Sequence, residues 1–125
     1  GKLAAKLRFA HAETIAPFAA LLDIESACET ISPDKIQEFN KVWKCEEIIP
    51  MSANIQWIFF YSKSKNEYLV NILLNEKQVA IHGLDNSGTI CYYKWNDLKK
   101  HYLQKLGQLN IHPGDDMHAY LMNVR

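Results

Sequence analysis

The chain has 125 residues, about one domain, and its 14 Lys and Arg residues balance 14 Asp and Glu at zero net charge. That balance gives no support to nucleic-acid binding through a basic face. No apolar run reads as a membrane span, and the opening residues do not read as a signal peptide.

A chain of this size buries roughly two thirds of its unfolded surface, which allows a core but no large cleft between two domains. Three cysteines are present, Cys28, Cys45 and Cys91, with no Cys-x-x-Cys pair to suggest zinc. They read either as one disulfide, Cys28 to Cys45, in an exported protein, or as three free or buried thiols.

Residues 3–10 are apolar with Lys6 and Arg8 interspersed, which predicts a short strand. Thr14 is placed to cap a following helix, Pro17 to sit in its first turn, and Ile15, Phe18, Ala19 and Leu22 to form its buried stripe. Residues 23–30 read as a loop. Ser32-Pro33-Asp34 is a second helix start, with Ile36, Phe39 and Trp43 as a narrow apolar face.

Residues 55–61 are apolar on both alternating faces, so the strand is expected to be covered on both sides. A polar turn leads to a second strand region, 68–81, interrupted at Asn75-Glu76-Lys77. The close spacing favours an antiparallel hairpin. Asp85-Asn86-Ser87-Gly88 is a turn. Asn96 or Asp97 starts a last helix with Leu98, Tyr102, Leu106 and Leu109 on one side. The order is thus strand, helix, helix, hairpin, helix, an α/β pattern. One strand followed by one helix is half a parallel unit without its partner strand, as expected of a piece of a larger domain.

The chemistry concentrates in Leu7-Arg8-Phe9-Ala10-His11-Ala12-Glu13-Thr14-Ile15-Ala16-Pro17-Phe18. In open α/β sheets ligands sit beyond the C-terminal strand ends, where His11 and Glu13 fall. If the chain is still extended there, residues two apart point the same way, beside a helix N-terminus that favours an anion. Protonated, His11 would donate to a phosphate oxygen. Glu13 is a candidate general acid, provided burial or a nearby anion keeps its proton on. On spacing alone, a satisfied polar histidine is the commoner explanation.

His11-Ala12-Glu13 after an apolar strand, followed by Thr14 and an apolar helix, resembles the C-terminal signature of the histidine acid phosphatases, in the form found in the inositol polyphosphate phosphatase branch. The similarity continues through Ile49-Pro50-Met51-Ser52-Ala53-Asn54-Ile55, Trp57-Ile58-Phe59, Val70-Asn71-Ile72-Leu73-Leu74-Asn75-Glu76-Lys77 and residues 95–106. The resemblance implies that the whole chain, 1–125, is the C-terminal segment of a three-layer α/β/α domain of the phosphoglycerate-mutase-like fold. It would contribute one strand-helix unit, a β-hairpin and a closing helix.

The implied reaction is phosphomonoester hydrolysis. A histidine of an N-terminal Arg-His-Gly-x-Arg motif attacks phosphorus, His11 joins the arginines that bind the phosphate, and Glu13 protonates the leaving oxygen. No cofactor and no metal are called for. This chain has no Arg-His-Gly; its one His-Gly pair, His82-Gly83, follows Ile81 in the hairpin region. Arginine is limited to Arg8 and Arg125, where phosphate enzymes usually use an arginine clamp. The chain alone is therefore expected to be inactive. The alternative is a non-catalytic module of the same fold that binds an anion or a protein.

The partners implied are a phosphate-ester substrate, with inositol phosphates such as phytate foremost, in the full-length protein. Self-association of the fragment through the strand at 3–10 is also expected. Localisation in the periplasm, at the cell surface or outside the cell follows from the resemblance alone. His112, Asp115, Asp116 and His118 match no metal signature and read as a solvated turn beside Pro113-Gly114. His101, beside Lys99 and Lys100, reads as exposed. Asn75 and Glu76 read as shaping a turn.

Overall fold

Eight uncharged residues, Ile55–Ser62, form strand β1, and Glu67–Leu74 form β2. In the computed structural model, which describes residues 5–85 and 92–123, they pair antiparallel without interruption from Ile55 opposite Leu74 to Ser62 opposite Glu67. The expected hairpin is therefore present. β2 turns back into a two-residue strand β3, Lys77–Gln78, through Asn75 (φ 51°) and Glu76 (φ 65°). A two-residue loop with both φ positive matches the right-handed twist of the strands it joins, and asparagine tolerates that conformation well. Strand β4, Tyr92–Lys94, pairs antiparallel with β2. β2 is thus the middle strand and β1 lies at one edge.

The alternation along the hairpin decides which face is covered. Val70, Ile72 and Leu74 point inward with Tyr93, and are buried with Ile24, Ile48, Ile81 and Leu98. Opposite them on the same face, Trp57 packs on Trp95 and Tyr102, and Phe59 packs edge-on against Trp95. Ile58, Phe60 and Tyr92, on the other face, remain 38%, 43% and 37% exposed. On the packed face Phe59 and Tyr61 are themselves still 50% and 49% exposed, so neither face of β1 is covered along its whole length, against the expectation of two covered faces for residues 55–61. One layer of helices is too little to cover both.

Helix α1 is Ala12–Leu21. Residues 5–10 before it form no strand, with Leu7 75% and Phe9 92% exposed. An isolated strand has no ladder to join, so the apolar pattern alone does not fix it. Without that strand the helix begins earlier than expected. His11, not Thr14, is the N-cap, and Pro17 lies inside the helix rather than in its first turn. Ala19 and Leu22 are buried as predicted, whereas Phe18 is not.

Residues 23–30 contain a 3-10 turn, Glu25–Ala27, and an isolated bridge from Ile24 to Ile81. Ser32-Pro33-Asp34 does open a helical segment, a 3-10 turn at Pro33–Glu38 that runs into α2, Phe39–Val42. A further short helix, α3, Cys45–Ile48, buries Ile48. Helix α4 is Trp95–Gln108, starting one residue before the predicted range. It is not the last helix: α5, Met117–Asn123, follows. Of the turn expected at 85–88, Asn86, Ser87 and Gly88 lie outside the described residues, as does Cys91. The chain is thus mixed α/β, an open antiparallel sheet of four strands with helices.

Candidate active site

The two predicted site residues fall at the start of α1. His11 keeps an extended backbone (φ −84°, ψ 166°), and its carbonyl accepts the amides of Thr14 at 2.9 Å and Ile15 at 3.2 Å. Glu13 lies in the first turn. The two therefore do not share one face of an extended segment, as the sequence spacing suggested. One caps the helix and the other sits on its opening turn. Both are exposed.

This end of the helix still has chemical character. The first amides of a helix lack internal partners, and the helix dipole is positive there. A carboxylate in the first turn and an anion before it are both favoured by that field. His11 at the cap and Glu13 in the first turn both lie within this field. Phe9, two residues upstream of His11, projects into solvent.

The other end of α1 is fixed firmly. Leu22 gives its carbonyl to the Tyr102 hydroxyl at 2.8 Å. Asp23 stands at φ 56° and accepts hydrogen bonds from Lys105 and, at 3.0 Å, from His101 Nε2. The Asp23 carbonyl takes the His82 amide at 2.7 Å, and the Glu25 amide donates to the Ala80 carbonyl at 3.1 Å. Burial pushes the Asp23 carboxyl up, but the hydrogen bonds and charges of Lys105 and His101 outweigh it and hold the group below its ordinary value. Burial, with the charge of Asp23 beside it, pushes the Tyr102 hydroxyl well up.

His101 is accordingly not the exposed residue its lysine neighbours suggested; its side chain is 20% exposed and paired. Sequence reasoning missed this cluster because its members stand 78 and 82 positions apart. The one local signal was Asp23 directly after the apolar stripe of α1, a place where a residue of left-handed conformation often ends a helix.

The remaining candidates have structural roles. Asn75 donates to the carbonyls of Glu47 at 2.7 Å and Ile48 at 3.0 Å and accepts the Asn54 amide at 3.0 Å, so it ties the α3 loop to the sheet. Asp115 accepts the His112 amide, and Asp116 accepts those of His118 and Ala119 at the start of α5. Cys28 and Cys45 are free thiols, so the Cys28–Cys45 disulfide is not formed. Among the described residues no group of His, Cys, Asp or Glu is placed to hold a metal ion. Nor is any helix among them long and apolar enough to cross a membrane.

Sequence comparison relates the chain to phosphatases. It is 32% identical over 96 residues to multiple inositol polyphosphate phosphatase 1 of Gallus gallus, covering 74% of this chain and 20% of that protein. It is 26% identical over 101 residues to the Homo sapiens protein of the same name, covering 77% of this chain and 20% of that protein. No family model matches. The chain spans about a fifth of the length of the curated relatives it matches. The resemblance carried by His11-Ala12-Glu13 and the hairpin motifs is thus to the same branch that the comparison returns.

Proposed function

We propose that this chain is the C-terminal segment of a histidine acid phosphatase that removes phosphate from inositol polyphosphates, phytate among them. The observation that carries the proposal is the 32% identity over 96 residues to a named inositol polyphosphate phosphatase. His11 is the phosphate-binding imidazole and Glu13 the proton donor to the leaving alkoxide. The attacking histidine and the arginine clamp come from elsewhere in the longer polypeptide.

The helix N-terminus supports this division of labour. An imidazolium at the cap and the positive end of the dipole both favour a phosphoryl group poised before Ala12. A carboxylic acid on the opening turn of the helix can reach the oxygen that leaves as the P–O bond breaks. The proton passes from Glu13 to that oxygen, and water then releases phosphate from the attacking histidine. The chain alone, without a nucleophile, is inactive. An exported location fits this reading.

The test is phosphate release from phytate and from an activated aryl phosphate, by this chain and by the longer native polypeptide. The longer protein is expected to be active and this chain inert. Glu13→Gln in the longer protein should lower phytate turnover by about 10²- to 10⁴-fold, the usual contribution of a general acid. The aryl ester, whose leaving group needs no proton, should lose far less. Equal loss on both esters would remove the acid role of Glu13, and an inactive longer protein would remove the enzyme reading.

A further inference from the structure

We propose that Asp23, clasped by His101 and Lys105, is a positioning residue for the proton donor Glu13, a role that rests on the phosphatase reading above. The clasp sets the angle of α1 against α4 and so places the carboxyl at the other end of the helix. Asp23 acts through Glu13 and takes no part in the chemistry itself.

Asp23 and α1 form one rigid piece. The Asp23 amide donates to the Ala20 carbonyl at 3.0 Å, and the Ile24 amide donates to the Ala19 carbonyl at 3.2 Å. With Asp23 left-handed at φ 56°, this is the double closure that ends a helix tightly. Glycine fits such a place without strain, so what aspartate adds there is its carboxylate. Both oxygens are engaged: Oδ2 lies 3.0 Å from His101 Nε2, and Oδ1 accepts a hydrogen bond from Lys105. All three side chains are half-buried, so water screens these contacts less than at an open surface.

The other half of the clasp belongs to the sheet. Leu98 of α4 is fully buried, and Tyr102 packs on Trp57 of β1 with ring centres 5.8 Å apart. The nearby backbone ties, from the His82 amide to the Asp23 carbonyl and from Ile24 to Ile81, fix where the chain leaves α1. Two side-chain bonds to successive turns of α4 add the direction. That direction matters because α1 is a lever. Glu13 and Asp23 stand ten residues apart, about 15 Å along a helix, so a tilt of about 4° carries Glu13 about 1 Å. A misplacement of about 1 Å can lower a rate about 10²-fold. Phosphate binding is shared between His11, the helix amides and the arginines of the longer polypeptide, and so tolerates the shift better. Protonation of the leaving oxygen depends on Glu13 alone.

The test is made in the longer native polypeptide, on phytate and on an activated aryl phosphate. Asp23→Asn replaces one of the two acceptor oxygens with a donor. It should lower kcat on phytate about 10- to 10²-fold, with KM little changed and the aryl ester losing far less. Lys105→Met leaves the backbone at residue 23 untouched and should show the same selective loss. Lys105→Arg keeps a cationic donor and should recover most of the activity. In a Glu13→Gln background Asp23→Asn should lower phytate turnover little further, because the group it places is already gone. A residue that merely stabilises the fold gives another pattern: both esters fall together with the folded fraction, and the loss adds to that of Glu13→Gln. That pattern, or full phytate activity in both Asp23→Asn and Lys105→Met, would overturn the positioning role while leaving the phosphatase reading intact. Phytate turnover unchanged by Glu13→Gln itself would remove the acid role of Glu13, and the role of Asp23 with it.

Discussion

Asp23 and His101 meet at 3.0 Å across 78 residues of sequence, joining the end of α1 to the middle of α4. Lys105, one turn further along α4, reaches the other carboxylate oxygen. Asp23 therefore has two jobs at once. Its backbone turns the chain out of α1 in the left-handed region, and its side chain fastens that turn to α4. Since the start of α1 is exposed, the direction in which His11 and Glu13 project is set largely from this far end.

Asp23→Asn keeps a residue that tolerates a positive φ and removes the charge. It keeps one acceptor oxygen but puts an NH2 donor where Lys105 or His101 had the other, and the expected loss is about 1–3 kcal/mol of stability. Urea unfolding at neutral pH, comparing midpoints at equal slope, measures it. Asp23→Ala adds the cost of a positive φ on a side chain that rarely adopts it, about 1–2 kcal/mol more.

The same carboxyl predicts a pH dependence. Its folded-state value lies below the ordinary 3.8, so the protein gains stability from it above the unfolded value. That gain is lost as pH falls through the folded value. The urea midpoint should therefore drop on acidification below about pH 4, where unfolded aspartate takes up its proton. In Asp23→Asn the drop should be smaller. An identical acid profile in the two proteins would show that other carboxylates carry the effect.

The hairpin was legible in the sequence because its signals are local. The apolar run of residues 55–61, that of β2 and the Asn75-Glu76 break each act over a few residues. The stripe of Leu98 and Tyr102 on α4 was legible for the same reason. Of the strand expected at 3–10, residues 5–10 form none, because an apolar segment becomes a strand only where another strand offers it a ladder. Asp23 with His101 and Lys105 was invisible because nothing in a run of sequence marks contacts between residues so far apart. For His11 and Glu13 the motif gave the positions, while the early helix start changed their mutual orientation.

Leu98 is fully buried against the central strand. Leu98→Ala should cost about 2–5 kcal/mol, the lost transfer energy plus the cavity it leaves. That is a large share of the stability of a small domain, so the variant is expected to lose its cooperative unfolding transition near physiological temperature. Leu103, 40% exposed on the same helix, is the control. Leu103→Ala should shift the thermal midpoint only slightly, since a half-exposed side chain leaves little cavity.

The two described thiols should react at different rates. Burial first, then the charge of Asp23, pushes the Cys28 thiol up, and Glu25 and Glu29 add to the effect. The thiolate is the reactive form, so Cys28 should alkylate more slowly than the exposed Cys45. Peptide mass spectrometry after brief iodoacetamide treatment reads the order directly. Asp23→Asn should narrow the gap by removing one of the charges that holds the Cys28 proton in place.

Asn75 separates backbone from side-chain effects. Its φ of 51° is one that glycine adopts freely, while its amide bridges Glu47, Ile48 and Asn54. Asn75→Gly keeps the turn and loses the bridges, leaving two carbonyls and an amide to water or to nothing. Asn75→Ala loses the bridges and also strains the turn. Glycine is therefore expected to cost about 1–3 kcal/mol through unmet hydrogen bonds. Alanine should cost about 1–2 kcal/mol beyond that. If the turn were the only function of Asn75, glycine would be neutral or stabilising in the two-residue loop. Urea midpoints of the two variants decide between these outcomes, and amide exchange at Asn54 shows whether the tie between the α3 loop and the sheet has opened.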